Sequence, residues 1–561
     1  MRNIIIVQCM STGKNYVQDI TNRKCNPIVL ELKAKNDSKE AMEYQKQIRE
    51  GYESMGDFDL IYEQDTYEET LEMVKQYDPL LIIPGTEEGV ILATKLSNDL
   101  NLPGNPIENL DAMTLKNEMQ KRLAENNLRY IKGKTVSTID EAIDFYEREG
   151  LNEVVIKPVY SAASVGVRIC LNKDEMIKAV EEVLKQRGCY GNEFDEVLIQ
   201  ERIDGMEYVV NTVSCDGVHR ITTIWKYHKA KTEEGGVIYD YDEIIADLGL
   251  GESQLVEYAF DVADAIGIKY GPVHGEYMVD ENGPVLIEVN CRPMGGSFDS
   301  EFLDRISAQH ETDSSLDSYL NPEKFHKKLN EGYKLFSYGV IKSLIVPKDL
   351  IAESSPIKYI SSKLKSFYKI SLHDYGDYQP FLKTQDLESS AGDIYLVHED
   401  PNQVKKDVDY IRTLEKQAFQ LVLSEGLNKN KLIRNDNDDL RLLLENIKSY
   451  ESILLVTDEE IDELDILQVA PDKLDEIKGQ FDYIIININK SIINKKDDYV
   501  AELFLNIFNK IRTGGYTFIL KNTYDYLPNG RLGAEALVKI FDLKIQIPKH
   551  NLKKIVIASN V

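Results

Sequence analysis

The amino-acid sequence predicts an α/β protein with a parallel sheet near each end of the chain. Apolar strands alternate with more polar helices at the start of the sequence, and this alternation restarts after a polar, turn-forming stretch at residues 426–439. Between the two lies an α+β region whose strands run into polar loops. At 561 residues the chain is long for one domain. We predict domains at residues 1–106, 107–325, 326–428 and 440–561.

The composition excludes several classes of function. A net charge of −29 disfavours partners that need basic patches, such as nucleic acids and anionic membrane surfaces. The 6 cysteines are scattered without metal-binding or redox spacing, which is typical of reduced thiols. The apolar run Ile4–Val7 is too short for a secretory signal, and no run reaches the roughly 18 apolar residues of a membrane span. We therefore expect a cytoplasmic protein with small-molecule ligands.

The first elements predict a parallel sheet with a ligand-binding edge. Three apolar runs are predicted as strands, namely Asn3–Cys9, Pro27–Leu32 and Leu80–Pro84. The loop Gly85–Gly89 then begins a helix through Leu96. Ligands of such sheets bind at the carboxyl ends of the strands. The loop Ser11–Lys14 lacks the frame of a Walker motif, and the Pro- and Gly-rich residues 102–106 mark a boundary.

Two strands in the middle of the chain run into loops that are suited to a nucleotide. Val154–Lys157 ends in a lysine, and the small residues that follow, through Gly166, expose backbone N–H groups that can hold phosphate. Residues 133–193 are predicted as a small lid. Further on, a strand through Gln200 enters a short hinge before Glu207, which offers backbone groups to a base and a carboxylate to ribose hydroxyls.

The residues from 274 to 296 are the most informative of the chain. A turn at Asp280–Gly283 predicts a β-hairpin that brings Glu276 beside Glu288. Two neighbouring carboxylates repel each other unless a cation lies between them. Glu288, Asn290 and Arg292 alternate along the second strand and so share a face. Carboxylate and amide oxygens suit Mg²⁺, the arginine suits phosphate, and the following glycines allow close approach of the backbone.

In this order and spacing, these segments resemble the ATP-grasp superfamily over about residues 1–425. The likeness is to its carboxylate–amine ligases, which include L-amino-acid ligases, carnosine synthase-like enzymes and, more distantly, D-alanine–D-alanine ligase. It implies a pre-ATP-grasp parallel-sheet domain followed by the α+β ATP-grasp fold. One departure is that the hinge begins Gln200-Glu201, where many relatives have Glu-Lys.

The resemblance also implies a set of site residues. The nucleotide would be bound by Lys116, Lys157, Ser161, Ser164, Gly166, Gln200, Glu201, Ile203 and Glu207. Magnesium, with manganese as an alternative, would be held by Glu276, Glu288 and Asn290. Arg292 and Lys157 would act in catalysis. The substrates would be contacted by His274, Trp225, Lys226, Arg292, Gly295 and Gly296.

Two of these assignments have an equally simple structural interpretation. The segment Ile221–Asp240 contains the only tryptophan of the chain, and it is either a mobile flap over the substrate or a strand with an exposed polar turn. His274 is either a hydrogen-bonded structural histidine or a substrate contact on the face of Glu276.

The remaining sequence predicts the end of the ligase and an accessory domain. Tyr333 to His398 is rich in strands, and Asp400–Glu425 is predicted as a helix. Beyond the linker, strands are predicted at Ser452–Thr457, Phe481–Ile488, Tyr516–Lys521 and Lys554–Ala558, with helices near Val500–Ile511 and Ala534–Phe541. This pattern is similar to a Rossmann-like methyltransferase. The turn after the first strand is acidic and lacks glycine, so we predict a non-catalytic domain that docks partners or a second copy of the chain.

The sequence thus predicts an ATP-dependent ligase that activates a carboxylate as acyl phosphate and couples it to an amine. Two alternatives remain open at this point. The acceptor is either an amine or the thiol of a carrier protein, and the chain could instead be a nucleotide-binding regulatory or scaffold protein. The presence of the metal ligands and both lysines favours the enzyme.

Overall fold

The computed structural model describes most of the first 346 residues and parts of the rest of the chain. The described residues are 2–159 without 35 and 37, 167–185, 194–231, 237–346 without 297, 350–351, 361, 364–372, 380–381, 383–384, 389–417, 452–458, 461, 466–488, 499, 503, 506–507, 510–519 and 554–557. They fall into two compact units. One comprises Met1–His228 and Tyr241–Val340, and the other Lys229–Asp240 and Ile341–Val561.

Helices occur mainly in the first unit. They are α1 (Asn15–Asn22), α2 (Lys39–Tyr52), α3 (Tyr67–Lys75), α4 (Gly89–Asp99), α5 (Leu110–Thr114), α6 (Lys116–Glu125), α7 (Ile139–Arg148), α8 (Lys173–Val183), α9 (Leu250–Ile266), α10 (Ser300–Ser307), α11 (Glu311–Leu320), α12 (Pro322–Glu331) and α13 (Pro401–Gln417). Short 3-10 turns cover Ser11–Lys14, Ile107–Asn109 and Pro471–Glu476. Among the described helices, none has both the length and the apolar composition that a membrane span requires.

Strands make up the remaining regular structure. They are β1 (Arg2–Val7), β2 (Cys25–Glu31), β3 (Asp59–Tyr62), β4 (Pro79–Pro84), β5 (Gly133–Val136), β6 (Val154–Pro158), β7 (Arg168–Cys170), β8 (Val197–Glu201), β9 (Met206–Cys215), β10 (Val218–Lys231), β11 (Val237–Ile244), β12 (Gly271–Asp280), β13 (Gly283–Asn290), β14 (Tyr338–Ser343), β15 (Leu350–Ile351), β16 (Phe367–Leu372), β17 (Pro380–Phe381), β18 (Gly392–His398), β19 (Ile453–Thr457), β20 (Leu467–Val469), β21 (Phe481–Asn487), β22 (Ile511–Ile519) and β23 (Lys554–Ile557).

The first sheet has the order β3-β2-β1-β4 and its strands are parallel, as predicted. The sequence missed β3, because this four-residue strand is half polar and gives no apolar run. Alternate residues of β1 enter different cores, Ile4 and Ile6 packing with α1 and Ile5 and Val7 with α4. Both faces of the sheet are therefore covered, which is usual for parallel sheets.

The lid sheet has the order β5-β8-β6-β7 and is antiparallel. Ile156 and Ile199 pack against α7 and α8 on one face. The register pairs Lys157 with Leu198 and Val155 with Gln200. Because side chains alternate along a strand, these residues lie on the opposite, helix-free face. The sheet therefore presents Lys157 and Gln200 together.

The site hairpin belongs to an antiparallel array in which β13, β12, β9 and β10 are neighbours. Tyr208, Val210 and Leu286 pack with α9 on one face. The register aligns Glu276 with Glu288 and His274 with Asn290, which confirms the predicted hairpin. After Glu276 the register of the two strands shifts by one residue, so that Tyr277 lies opposite Leu286 and Ile287 has no partner. Ile287 is thus the extra residue of a β-bulge.

The second unit, taken by itself, contains strand-rich structure as predicted for residues after Tyr333. In it β16 pairs antiparallel with β18, and β15 with β17. The predicted helix Asp400–Glu425 is observed as α13, and its last eight residues lie outside the described part of the chain. Lys342 is fully buried between Asp240, at 3.1 Å, and Glu415 on α13.

The same unit ends in a parallel sheet with the order β20-β19-β21-β22-β23. The predicted parallel strands are confirmed, with β20 as an addition. This order, 2-1-3-4-5, is that of flavodoxin-like sheets and differs from the 3-2-1-4-5-6 order of a Rossmann fold. β22 begins at Ile511, so the predicted helix over Val500–Ile511 ends too late by at least one residue. The predicted helix Ala534–Phe541 and the linker at 426–439 lie outside the described residues.

Candidate active site

The predicted metal ligands lie together on the hairpin of β12 and β13. Glu276 and Glu288 are direct cross-strand neighbours. Asn290 donates a 3.3 Å hydrogen bond from Nδ2 to Glu288 Oε1, which leaves its amide oxygen for another partner. Among the described residues, no three His, Cys, Asp or Glu side chains form a group of their own that could hold a metal. The predicted set has two carboxylates and one amide, so water or phosphate oxygens would have to complete it.

The two predicted nucleotide lysines neutralise these carboxylates. Lys116 is the first residue of α6, and its Nζ lies 2.8 Å from Glu288 Oε2. Burial alone would raise the pKa of Glu288, but the ammonium groups of Lys116 and Lys157 outweigh it and lower that pKa to about 2. Burial lowers the pKa of Lys157 to about 8, against the opposing effect of Glu288. The site therefore holds a lysine that is only moderately basic beside a firmly ionised carboxylate.

His274 is buried and both of its ring nitrogens have partners. Nδ1 lies 2.9 Å from Asn211 Oδ1 and Nε2 lies 3.1 Å from Glu276 Oε1. Asn211 on β9 is fully buried and donates to Thr223 at 3.0 Å. Burial lowers the pKa of His274, with the Glu276 hydrogen bond acting in the opposite direction. These contacts favour the structural interpretation, in which His274 orients Glu276.

Arg292 is held from two sides. Its Nη2 lies 3.6 Å from Glu87 Oε2, and its Nη1 donates a 3.0 Å hydrogen bond to the carbonyl of Pro293. Glu87 lies in the loop after β4 and is buried, and burial raises its pKa while Lys116 and Arg292 oppose that change. The site is thus completed by the first sheet of the chain.

Gly295 and Gly296 follow Arg292 in a loop that the N-terminal turn supports. Gly296 has a φ of +76°, a conformation that L side chains rarely adopt. Its carbonyl accepts a 3.2 Å hydrogen bond from Thr12 Oγ1, and the same hydroxyl accepts from the Phe298 N–H at 3.1 Å. Gly13 in this turn packs so close to Gly85 that a Cβ would lie 2.2 Å from the Gly85 carbonyl oxygen.

The predicted hinge joins β8 to β9. Glu201 Oε1 accepts a 2.9 Å hydrogen bond from the Lys132 N–H, so this side chain supports the strand start. The Nε2 group of Gln200 is buried without a hydrogen-bond partner. Ile203 lies in the hinge itself, and Glu207 lies opposite Met278 in the register of β9 and β12. By alternation Glu207 shares the face of Asn211 and Glu276.

Trp225 and Lys226 project from opposite faces of β10. Trp225 is 0% exposed, donates to Thr223 at 3.1 Å and packs against Phe298 with 5.9 Å between ring centroids. Lys226 projects from the opposite face, where its Nζ lies 5.8 Å above the ring of Tyr208. Trp225 lies opposite Val209, which lies opposite Glu276, so its buried ring shares the sheet face of the predicted metal ligands, whereas Lys226 is on the other face. A substrate contact by either residue stays a prediction. The described part of Ile221–Asp240 consists of strands β10 and β11, while residues 232–236 lie outside the described part of the chain.

Three of the predicted nucleotide-binding residues belong to the loop after Lys157. Ser161, Ser164 and Gly166 lie outside the described residues, whereas Lys157 at the start of that loop is described.

Sequence reasoning missed Asn211 and Glu311 as parts of the site, and it did not single out Glu87 within the loop Gly85–Gly89. Glu311 at the start of α11 is buried and accepts a 2.6 Å hydrogen bond from the Met294 N–H. Each residue had a local signal in the sequence. Asn211 is a lone amide in an apolar strand, Glu87 is one of two adjacent acids at the carboxyl end of a strand, and Glu311 belongs to a polar run between two helices. None of these signals indicates which distant residue is contacted.

Comparisons with known proteins agree with this geometry. Residues 151–301 match the ATP-grasp domain family. The chain is 29% identical over 361 residues to dapdiamide A synthase of Enterobacter agglomerans, covering 64% of this chain and 84% of that one. It is 28% identical over 233 residues to a D-alanine–D-alanine ligase of Bacillus velezensis, covering 38% and 62%.

Solved structures share the fold. An L-amino acid ligase from Bacillus licheniformis superposes with a TM-score of 0.56 at 15% identity, covering 74% of this chain and 97% of that one. A phosphoribosylglycinamide synthetase from Anaerococcus prevotii gives a TM-score of 0.51 at 14% identity, covering 73% and 98%. The family match confirms the predicted ATP-grasp domain over residues 151–301, the relatives include ligases of the predicted kind, and the solved structures share the fold.

Proposed function

We propose that the protein activates a carboxylate as an acyl phosphate and couples it to an amine, releasing ADP and phosphate. The observation that carries this proposal is the grouping of Lys116, Glu288, Asn290 and Glu276 at one end of a hairpin, with Arg292 beyond it. This group combines cations for phosphate, oxygen ligands for a metal ion and a planar cation for a developing anion.

The side chains present fit ATP and Mg²⁺. Glu276, Glu288 and Asn290 are the proposed metal ligands, because two carboxylates in cross-strand register and a neighbouring amide oxygen suit a divalent cation. When bound, Mg²⁺ would neutralise charge on the phosphates. The unpartnered Nε2 of Gln200 is a donor that a nucleotide base would satisfy, and Glu207 is the proposed ribose contact.

The lysines and Arg292 have different tasks in this proposal. Lys157 ends the lid strand, and with a pKa of about 8 it is still mostly charged near neutral pH. It can therefore bind phosphate in the lid. Arg292 is fixed by Glu87 and by the Pro293 carbonyl, and it would face the oxyanion that forms when the amine attacks the acyl group.

The acidic loop after β4 supports an amino acid as one substrate. Glu87 and Glu88 are both buried at the carboxyl end of β4. The hydroxyl of Thr86 donates a 2.6 Å hydrogen bond to Glu88. Glu87 Oε2 lies 3.6 Å from Arg292 Nη2, and the charge of Lys116 also acts on this carboxylate. An ammonium group of a substrate would be a further favourable partner for it.

The test is an ADP-release screen of the purified full-length protein over pairs of amino acids, with mass spectrometry of the products. We expect at least one pair to give ADP together with a product whose mass is the sum of both substrates less one water. ADP release without a coupled product in any pair would contradict an amine acceptor. Transfer to a carrier-protein thiol, measured in the same assay, would then identify the alternative acceptor.

A further inference from the structure

Residues 309–312, which lead from the loop after α10 into the first turn of α11, are buried and contact several elements of the first unit. Gln309 accepts a 2.5 Å hydrogen bond from Arg220 on β10. His310 lies between Asp19 of α1, at 3.0 Å, and Asp304 of α10, at 2.8 Å. The Thr312 hydroxyl donates to Asp19 at 2.7 Å. The three neighbours of Glu311 in this segment are thus held by hydrogen bonds, which gives the Glu311 side chain a defined place.

Glu311 reaches the peptide that follows Arg292. Its Oε2 accepts a 2.6 Å hydrogen bond from the Met294 N–H. The carbonyl of the same peptide group, on Pro293, accepts the 3.0 Å hydrogen bond from Arg292 Nη1. One peptide plane is therefore held on its N–H side by Glu311 and on its carbonyl side by Arg292.

We propose that Glu311 is a positioning residue for Arg292. By fixing the Met294 N–H, it sets the direction of the Pro293 carbonyl, and that carbonyl sets the direction of the guanidinium. Glu87 contacts the other end of the guanidinium at 3.6 Å. Glu311 thus acts on the acyl-transfer step through Arg292 without touching a substrate.

The local backbone explains why this hydrogen bond matters for the position of Arg292. The proline ring restricts φ at Pro293, so rotation of the peptide plane depends mainly on ψ at that residue. Gly295 follows Met294 and adds backbone freedom, whereas the Met294 side chain is buried, with its sulfur 3.1 Å from Asn211 Nδ2, and the Gly296 carbonyl is held by Thr12. The hydrogen bond to Glu311 is the restraint on the N–H of the peptide group itself. Without it the plane can rotate, and the carbonyl no longer faces Arg292.

The hydrogen bond depends on the reach of the side chain more than on its charge. Burial raises the pKa of Glu311 to about 7, with the Met294 N–H and Arg292 acting against this change. Near neutral pH the group is therefore partly protonated, and a carboxyl or amide oxygen accepts the same hydrogen bond in either state. This predicts that glutamine can replace Glu311 and that aspartate cannot.

The experiment compares Glu311→Gln, which keeps the reach and removes the charge, with Glu311→Asp, which keeps the charge and shortens the reach. The matched control is Glu301→Asp, at a carboxylate on α10 that pairs with Arg305 on the surface. We expect Glu311→Asp to lower kcat by about tenfold or more, since a misplacement of about 1 Å can cost on the order of a hundredfold in rate. The KM for ATP should stay unchanged, and Glu311→Gln and the control should retain wild-type kcat.

A second readout does not depend on the proposed ligase reaction. Hydrogen exchange of the peptide that contains Met294, measured by mass spectrometry on the full-length protein, should accelerate in Glu311→Asp and not in Glu311→Gln.

Equal kcat in both Glu311 variants and the wild type would overturn the proposal, as would unchanged exchange in Glu311→Asp. Equal losses in both variants would indicate a role for the charge, and unfolding of Glu311→Asp alone would indicate a purely structural one. Faster exchange without any ligase turnover in the wild type would contradict the proposed function and leave the positioning intact.

Discussion

At the scale of single residues, the site depends on the balance of charge around Glu288. Two lysines lower the pKa of this carboxyl to about 2, and Asn290 donates a further hydrogen bond. The carboxylate is therefore ionised at any working pH. Removing its charge would alter the charge of the proposed metal site and the electrostatic environment of both lysines at once.

We predict that Glu288→Gln abolishes Mg²⁺-dependent ADP formation while the protein remains folded. The variant loses one charged oxygen ligand at a place where a metal ion stabilises charge on phosphates. The measurement is ADP release at saturating ATP, together with circular dichroism and thermal unfolding. Wild-type turnover in a folded Glu288→Gln protein would show that the metal-ligand assignment is wrong.

Arg292 provides a second residue-scale prediction. Arg292→Lys keeps the charge but loses the planar fork that contacts Glu87 and the Pro293 carbonyl. We expect kcat to fall by about a hundredfold or more, as for loss of an oxyanion donor, with little change in ATP affinity. Steady-state kinetics and nucleotide titration by calorimetry separate the two effects. Parallel losses in kcat and in ATP affinity would instead make Arg292 a nucleotide-binding group.

At the scale of elements, α11 is attached to the first sheet domain by charged contacts. His310 precedes α11 and lies between Asp19 on α1 and Asp304 on α10. Arg23 adds a 2.7 Å ion pair with Asp317 within α11. These contacts join residues that are almost three hundred positions apart, such as Asp19 and His310 (separation 291).

The His310 contacts predict a pH-dependent stability. Burial opposes protonation, but Asp19 and Asp304 outweigh it and raise the pKa of His310 from its ordinary 6.5 to about 10. Because the folded pKa is the higher one, the stabilisation is complete below the ordinary pKa of 6.5 and is lost as the pH rises towards 10. Within that window the free energy of unfolding should fall by up to about 1.4 kcal/mol per pH unit.

Urea unfolding of the wild type and of His310→Gln at several pH values measures this effect. At pH values below the window, the variant should lose on the order of 3 kcal/mol, because two carboxylates lose their buried cation. The difference between the two proteins should shrink as the pH rises. A constant difference across the window would mean that His310 is neutral in the folded protein.

At the scale of the whole molecule, the chain combines an ATP-grasp domain with a further parallel sheet. The end of β19, where the strand order reverses, is the expected ligand edge of this sheet. Thr457 and Asp458 follow there in place of glycine. The role of this sheet as a docking domain stays a prediction.

We predict that the full-length protein does not bind S-adenosylmethionine. The turn after β19 has no glycine that would let the protein backbone approach the cofactor. Asp458 also places negative charge where the carboxylate of the cofactor would lie. Isothermal titration calorimetry should show no heat of binding beyond dilution. Saturable binding at micromolar concentrations would make the protein bifunctional.

A second whole-molecule prediction concerns a protein that ends at residue 430, within the predicted linker. If the ligase is complete before this point, the shortened protein should retain ATP-dependent coupling at the rate of the full chain. The comparison uses the amino-acid pair identified in the ADP-release screen. A soluble but inactive shortened protein would show that the C-terminal sheet supports the ligase site.

Much of the fold could be read from the sequence because its signals are local. Apolar runs and helix boundaries follow from side-chain periodicity, and they predicted the strands of both parallel sheets except β3 and β20, together with the hairpin and its polar second strand. The placement of Lys157 at the end of β6 and of Glu288 and Asn290 on one face follows from the same alternation.

The tertiary structure alone decided which of these faces meet. A plain hairpin from the turn at Asp280 and Gly283 would place Glu276 opposite Ile287, and only the bulge at Ile287 brings it opposite Glu288. Strand pairing placed Lys226 on the opposite sheet face from Glu276, and long-range packing brought in Glu87, Asn211 and Glu311. The physical reason is that alternation fixes the direction of a side chain within its own strand, whereas its partners and its pKa depend on elements that are distant in sequence.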